Sequence, residues 1–252
     1  MYKHITAMVE RAGSMDEVNC IIITGSGDFF SSGADFGDYE TPSSIKNASQ
    51  SPAFRFMYAL ATCKKLLVAV VNGPAVGLAA AMLAHCDLVF ASDTAYFWIP
   101  FFELGTVPED CSSLLLPRIM GSARAGKMLY LGEKMSVEEA KNCGFITDYY
   151  PFEGLIQRVT HTLIEKILST PLAGKGLQIF KHLMKGPQMA LIHEVMDAEL
   201  EKYVQRSIDG DLAMVSKHRE AARRKAKADK KIKHSNQKIM GAPTEQQNRS
   251  KL

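Results

Sequence analysis

The sequence has few cysteines, and none of them is placed for a disulfide framework or a metal site. Five cysteines are scattered along 252 residues, and no Cys-x-x-Cys pair occurs among them. An odd and dispersed set of cysteines fits a reducing compartment rather than a secreted, cross-linked protein. We therefore predict neither disulfides nor a bound metal.

The sequence also lacks an uninterrupted hydrophobic run. The most apolar stretch, residues 66–84, approaches the length of a membrane span. Asn72-Gly73-Pro74 interrupts this stretch in the middle, which predicts a strand, a turn and a buried helix rather than a membrane helix. Residues 1–17 are polar and amphipathic, so they do not resemble a secretory signal.

The common motifs of nucleotide binding and hydrolysis are absent as well. Gly25-Ser26-Gly27 is followed by Phe30 where a dinucleotide-binding fingerprint requires glycine, and no Lys-Ser/Thr pair follows. There is no G-x-S-x-G elbow and no H-E-x-x-H helix. His85 is interpreted as a buried structural histidine rather than a catalyst.

The charge of the chain is unevenly distributed. The net charge is +3, but residues 217–252 carry 12 Lys and Arg against 3 Asp and Glu, a net of +9, which leaves −6 for the rest. Such a basic segment binds nucleic acid, anionic lipid or an anionic substrate, or it is a solvated helix that leads into a disordered tail. We favour the solvated helix and expect no nucleic-acid partner.

Hydrophobic periodicity predicts an α/β core followed by helices. Cys20–Thr24 is predicted to be a fully buried strand, and residues 1–14 a helix with Ile5, Met8 and Val9 on its apolar face. Further strands are predicted at 66–71, 88–91 and 96–99, and an extended segment at 145–150. Helices are predicted at 52–62, 77–85, 110–120, 123–131, 137–143, 152–169, 173–184, 188–208 and 211–232, with Ser136 as a helix cap.

Two loops of small residues follow predicted buried strands. The first is FFSSGADF at 29–36, and the second is NGPAVGLAA at 72–80. Small residues let a ligand approach the backbone closely, and unpaired N–H groups at a helix start attract anions. Two such donors that converge on one point would form an oxyanion hole, although either loop alone is also explained as a tight turn.

The segments FFSSGADF, VNGPAVGLAAAMLAHCDLVFASDTAYFWIPFFELG and TVPEDCSSLLLPRIMG resemble the enoyl-CoA hydratase/isomerase (crotonase) superfamily. Within it they most resemble the peroxisomal Δ3,Δ2-enoyl-CoA isomerases. The resemblance implies a crotonase-like spiral of β-β-α units at 1–150 and a helical C-terminal region at 151–210. That region would mediate assembly into a homotrimer or a dimer of trimers. Residues 211–252 would be a basic helix and tail.

The resemblance also assigns a site. The backbone N–H groups of Ala34 and Leu78 would form the oxyanion hole around the thioester carbonyl of an acyl-CoA. Asp35 would fix its loop by local hydrogen bonds rather than act as a base. Coenzyme A is then part of the substrate, and no separate cofactor is implied. The residues expected to contact substrate are Ser32, Gly33, Asp35, Phe36, Gly77 and Phe101.

The glutamates decide which reaction the resemblance implies. The hydratases of the superfamily use two glutamates, at positions that are Ala81 and Phe101 in this chain, which disfavours hydration. The isomerases use one glutamate shortly after a Leu-Gly pair, and Glu109 occupies that position as the predicted catalytic base. Glu103 is a weaker candidate and is expected to point away. The implied reaction moves the double bond of 3-enoyl-CoA to give trans-2-enoyl-CoA in fatty-acid β-oxidation.

Two further features, one at each end of the sequence, bear on where the protein acts and on other functions that it could have. The tripeptide Ser250-Lys251-Leu252 matches the address read by the peroxisomal import receptor, which predicts the peroxisomal matrix. Superfamily members have a longer segment before the point that matches Met1, with the first strands and a loop that holds the CoA nucleotide. One alternative is therefore a non-catalytic or impaired acyl-CoA-binding or oligomerisation module. Another is a different superfamily activity, such as a residual hydratase or a thioesterase.

Overall fold

The structure is a computed structural model that describes residues 1–33 and 48–222, together with residues 224 and 227. The predicted site residues Ala34, Asp35 and Phe36 lie outside the described residues. So do the tripeptide at 250–252 and the last part of the predicted helix at 211–232, of which 211–222 is described and helical.

The strands form two sheets. The larger sheet is parallel with the order β1-β2-β4-β7, and the smaller has the order β3-β5-β6, in which β5 and β6 run antiparallel. The strand predicted at 96–99 therefore forms, but in the second sheet. In chain order the strands are β1 (Cys20–Thr24), β2 (Leu66–Val71), β3 (Ala75–Val76), β4 (Leu88–Ser92), β5 (Tyr96–Trp98), β6 (Met135–Ser136) and β7 (Asp148–Tyr150).

The helices follow the predicted positions, with differences at their ends. Ser136 caps α6 through a capping box with Glu139, as its position before an acidic turn predicts. A π-helical segment, Ile164–Leu168, continues α7. The helices are α1 (Tyr2–Ser14), α2 (Pro52–Ala61), α3 (Leu78–Ala81), α4 (Ser112–Met120), α5 (Ser122–Leu129), α6 (Val137–Asn142), α7 (Leu155–Leu163), α8 (Ala173–Lys185) and α9 (Met189–Ile208).

The core lies on both faces of β2. Successive side chains of a strand point to opposite faces, so Leu67, Ala69 and Val71 lie in one apolar cluster while Val68 and Val70 lie in another. The first cluster includes Val9 of α1 and Phe56 and Leu60 of α2. The second includes Phe90, Leu155, Val159 and Leu163. The sheet is therefore covered by helices on both sides, as parallel sheets require.

Two expectations about burial were wrong. Cys20–Thr24 is a strand, but it is not fully buried, and Ile22 is 36% exposed, because β1 pairs with β2 alone among the described strands. Met8 is exposed rather than part of the apolar face of α1. Thr6 is buried instead, and its hydroxyl donates to the backbone oxygen of Tyr2 at 2.9 Å.

The C-terminal helices are attached to the core by polar and apolar contacts. Asp87 accepts hydrogen bonds from Leu67 N and Lys181 Nζ, each at 2.7 Å, and its other oxygen pairs with Lys185 Nζ at 2.8 Å. These contacts hold α8 against the first residues of β2. Ile192 of α9 is buried in an apolar cluster with residues of α2 and α4. Among the described residues, no helix has the length and apolar character to cross a bilayer.

Candidate active site

The structure brings the two predicted loops side by side. Ser31 in the first loop forms a parallel bridge with Ala75 in the second. The N–H of Val76 donates to Ser31 O at 3.0 Å, and the N–H of Phe30 donates to Pro74 O at 3.1 Å. These backbone bonds hold the first part of one loop directly against the other.

Asn72 adds a side-chain link that was not predicted from the sequence. Its Oδ1 accepts from Gly25 N at 2.9 Å, and its Nδ2 donates to Gly27 O at 2.8 Å. The amide therefore ties the start of the second loop to the turn after β1. Its position after a buried strand is the signal that could have found it, because side chains at strand ends often fix the next turn.

Each loop contains one glycine in a backbone conformation that other residues rarely adopt. Gly33 has φ +92° and Gly77 has φ +61°, and a Cβ on Gly33 would lie 3.1 Å from Val76 O. The N–H of Gly77 donates to Trp98 O at 2.7 Å, which fixes the turn that leads into α3. The next N–H, that of Leu78, donates to no acceptor among the described residues. The Leu78 amide is thus available to a ligand.

Some predicted substrate contacts can be placed and others cannot. Ser32 is exposed beside Gly33 on the first loop. Ala34, Asp35 and Phe36 lie outside the described residues, so the second oxyanion donor and its neighbours stay predictions. Phe101 is 4% exposed, belongs to the main core cluster and does not line the cavity described next.

Glu109 lines a cavity of about 440 Å³, here called the Glu109 cavity. Leu78 packs in the same apolar cluster as Phe54, Met57 and Met196, and all three of these residues line the cavity. The side chain of Leu78 therefore belongs to the apolar cluster that forms part of the cavity wall, although neither Gly77 nor Leu78 itself lines the cavity. Other lining residues include Tyr2, Ala48, Pro52, Ala53, Leu200 and Tyr203.

The carboxyl group of Glu109 is partly buried and singly anchored. Thr106 Oγ1 donates to Glu109 Oε1 at 2.9 Å, and Oε2 accepts no hydrogen bond from any described residue. The pKa of Glu109 is raised to about 7, mainly by burial and to a smaller extent by the charges of Glu199 and Asp110, while the hydrogen bond from Thr106 lowers it. A carboxyl group with such a pKa both accepts and returns a proton readily near neutral pH.

The residue after Glu109 takes part in a buried ion pair. His85 Nε2 lies 2.9 Å from Asp110 O and 3.0 Å from Asp110 Oδ1, and its proton is directed to the carbonyl oxygen. Burial lowers the pKa of His85, but the charge of Asp110 and its hydrogen bonds outweigh this and leave it raised. His85 is 4% exposed, as expected for a structural histidine.

Glu199 of α9 is the functional candidate that the sequence did not indicate. It is 8% exposed, lines the Glu109 cavity and binds the segment that follows Glu109. Burial raises its pKa to about 7, although hydrogen bonds from Ser113 and Cys111 lower it. No local pattern could have revealed the contact, because 88 residues separate Cys111 from Glu199.

The other glutamate candidates are excluded by position. The two positions at which the resemblance places the hydratase glutamates are Ala81 and Phe101, so neither carries a carboxylate. Both residues are buried in the core. Glu103 is exposed, its carboxylate lies against Gly132, and it does not line the Glu109 cavity. Of the two glutamates considered from the sequence, only Glu109 reaches the cavity.

Most of the chain matches a known family. The sequence profile of the enoyl-CoA hydratase/isomerase family matches residues 1–231. The chain belongs to this family. An enoyl-CoA hydratase/isomerase from Pseudoalteromonas atlantica T6c has the same fold, with a TM-score of 0.78 and 28% identity over 85% of this chain and 84% of that chain.

Family members with isomerase names are among the similar proteins. Enoyl-CoA delta isomerase 2 of Rattus norvegicus is 35% identical over 203 residues, which are 79% of this chain and 51% of that protein. Enoyl-CoA delta isomerase 3, peroxisomal, of Mus musculus is 39% identical over 155 residues, 60% of this chain and 49% of that protein. The chain thus spans about half the length of these curated relatives.

Proposed function

We propose that the protein is a Δ3,Δ2-enoyl-CoA isomerase that converts 3-enoyl-CoA to trans-2-enoyl-CoA in fatty-acid β-oxidation. The observation that carries this proposal is Glu109, which lines a largely apolar cavity and has one oxygen, Oε2, that accepts no hydrogen bond from any described residue. Glu199 lines the same cavity, but both of its carboxylate oxygens accept hydrogen bonds from Cys111 and Ser113. The two positions that hold hydratase glutamates are occupied by Ala81 and Phe101. A double-bond shift needs one base, whereas hydration also needs an activated water.

The proposed reaction begins with proton abstraction. The C2 protons of a 3-enoyl-CoA are acidified by the thioester carbonyl and by the neighbouring alkene. Glu109 Oε2 takes one of them, and the electron pair of the C2–H bond delocalises into a dienolate with negative charge on the thioester oxygen. The N–H groups of Leu78 and Ala34 hydrogen bond to that oxygen. Loss of one such donor typically costs about 3–4 kcal/mol of transition-state stabilisation.

The reaction ends with proton return. Glu109, now protonated, delivers its proton to C4, which leaves the double bond between C2 and C3, conjugated with the thioester. Thr106 holds Oε1, so Oε2 is the oxygen that moves the proton in both steps. Coenzyme A belongs to the substrate, and the electron balance of the proposed steps requires no further cofactor.

A variant of Glu109 tests the proposal directly. We expect Glu109→Gln to lower the kcat for 3-enoyl-CoA by about 10²- to 10⁴-fold, because the amide cannot accept the C2 proton. The measurement is the rise in absorbance of the conjugated thioester product. Glu103→Gln is the matched control, since it removes the same charge from an exposed side chain outside the cavity, and it is expected to keep parental activity.

The same assay separates the alternatives. A parent protein that binds a saturated acyl-CoA in calorimetry but does not isomerise would favour a non-catalytic binding module. Hydration of trans-2-enoyl-CoA at an appreciable rate would contradict the inference that Ala81 and Phe101 disfavour hydration. Equal isomerisation by the parent and by Glu109→Gln would refute the role of Glu109.

We further propose that the protein acts in the peroxisomal matrix. The basis is the tripeptide Ser250-Lys251-Leu252, together with a similar protein whose name includes the word peroxisomal. For a protein whose last residue is Leu252, we expect an N-terminal fluorescent fusion to colocalise with a peroxisomal marker. Deletion of Leu252 should disperse the signal, and deletion of Met1 should not.

We also propose that α8 contributes to self-association. Four apolar side chains of this helix are at least half exposed in the single chain, an unusual density for a solvated surface. They are Ile179, Phe180, Leu183 and Met184.

A further inference from the structure

The backbone that follows Glu109 is held in a conformation that non-glycine residues rarely adopt. Asp110 has φ +61° and Cys111 has φ +58°, so two successive residues lie in the left-handed region. A non-glycine residue in this region is strained and persists only when surrounding contacts hold it. This strained turn, Asp110–Cys111, determines where the peptide of Glu109 leads into α4.

One side chain from α9 links the turn to the first residues of α4. Glu199 Oε2 accepts from Cys111 N at 2.7 Å, and Glu199 Oε1 accepts from Ser113 N at 3.0 Å and from Ser113 Oγ at 2.6 Å. All three donors lie at the start of α4, where the helix dipole also favours a negative charge. The carboxylate of Glu199 is therefore fully engaged with the protein, whereas Oε2 of Glu109 is not.

We propose that Glu199 is a positioning residue, which fixes the strained turn and thereby aims the carboxylate of Glu109 into the cavity. This inference rests on the proposed isomerase function. The turn is anchored on its other side by His85, which donates to Asp110 O at 2.9 Å. Ile192 and Met196 of α9 pack against Cys111 and Leu115, so the helix that carries Glu199 is itself fixed to α4.

Glu199→Gln is the principal test, with Glu194→Gln as its control. Glutamine keeps the size of the side chain but turns an N–H group toward a backbone donor, so at least one bond to the turn is lost. We expect kcat to fall about ten- to hundred-fold with KM nearly unchanged, because a displaced base still allows substrate binding. Glu194 lies on the same helix, is exposed and should show parental kinetics when changed to Gln.

A second variant separates positioning from direct contact with substrate. Ser113 does not line the Glu109 cavity, and it contacts the carboxylate of Glu199 through both N–H and hydroxyl. Ser113→Ala removes only the hydroxyl bond, so it should fold and lower kcat by a smaller factor than Glu199→Gln. Parental kcat in both variants would overturn the inference.

A readout without substrate keeps this test distinct from that of the proposed function. Hydrogen exchange of peptides that cover 109–120, followed by mass spectrometry, should be faster in Glu199→Gln than in the parent and in Glu194→Gln. Unchanged exchange would show that Glu199 does not hold the turn, whatever the activity. A parent protein without isomerase activity would instead refute the proposed function, and the exchange data would still decide the contact.

Discussion

Glu109 combines burial with a single anchoring hydrogen bond, and this combination sets its chemistry. A carboxyl group in water is a weak base, because its pKa is about 4.3. Burial raises the pKa of Glu109 to about 7, while Thr106 donates to one oxygen and leaves the other available. The same side chain is thus able to take a proton from one carbon and return it to another.

The raised pKa predicts the pH dependence of the isomerase reaction. Glu109 must be ionised to accept the C2 proton, so kcat/KM should be constant above neutral pH and fall as the pH drops through about 7. At pH 5 we expect a rate about 100-fold below the plateau, if one ionisation controls it. The measurement is kcat/KM between pH 5 and 9, with circular dichroism at each pH to exclude acid unfolding.

Thr106→Val provides a matched control for this profile. The hydrogen bond from Thr106 favours the ionised form of Glu109 and therefore lowers its pKa. Its removal, with nearly constant side-chain volume, should move the midpoint of the profile to higher pH. A profile that is flat from pH 5 to 8 in the parent would contradict the assignment of Glu109 as the base.

At the scale of elements, the turn between β3 and α3 presents the Leu78 amide. Gly77 has φ +61° and ψ −127°, a region essentially restricted to glycine. We expect Gly77→Ala to cost about 1–3 kcal/mol of unfolding free energy in urea and to lower kcat, because the turn relaxes and misdirects the amide.

Gly13 of α1 is the control for that substitution. It lies in an ordinary helical conformation, and a Cβ added there would meet no atom within 4 Å. Gly13→Ala should therefore raise the free energy of unfolding by up to about 1 kcal/mol and leave kcat unchanged. If Gly77→Ala were as active and as stable as the parent, the conformation of Gly77 would not be needed to orient the Leu78 amide.

The sequence predicted elements well where the pattern was strong and local. β2 and α2 appear where apolar runs place them, and the described part of the first glycine loop lies against the second. It failed where burial depends on distant neighbours. The run CIIIT reads as a buried strand, but β1 has one partner among the described strands, so Ile22 stays exposed.

At the candidate site, too, the sequence predicted local features and missed contacts between distant residues. Glu109 was predicted as the base from its place after a Leu-Gly pair in the family resemblance, and the structure places it at a cavity. The helix α4 begins at Ser112 rather than at the predicted Asp110, since Asp110 and Cys111 are left-handed. Cys111 N donates to Glu199, which reaches the turn from α9. Sequence reasoning recognises a base by its local motif, whereas the groups that orient a base come from other elements of the fold.

At the scale of the whole molecule, the exposed apolar face of α8 predicts self-association. Phe180 and Leu183 lie three residues apart on one face of the helix and are 69% and 68% exposed. The family resemblance implies a trimer, and burial of this face in a second and third copy would stabilise it at about 25 cal/mol per Å² of apolar area. We expect sedimentation equilibrium to give about three times the chain mass of 27.8 kDa.

Substitution on this face distinguishes assembly from fold. The double variant Phe180→Glu with Leu183→Glu should sediment as a monomer and keep the circular dichroism of the parent, because buried like charges oppose association while the monomer leaves them in water. Gln178→Glu adds a charge to the same helix outside that pair and should remain trimeric. A parent that is monomeric at micromolar concentration would contradict the prediction, and a monomeric double variant with parental kcat would show that the Glu109 cavity is complete within one chain.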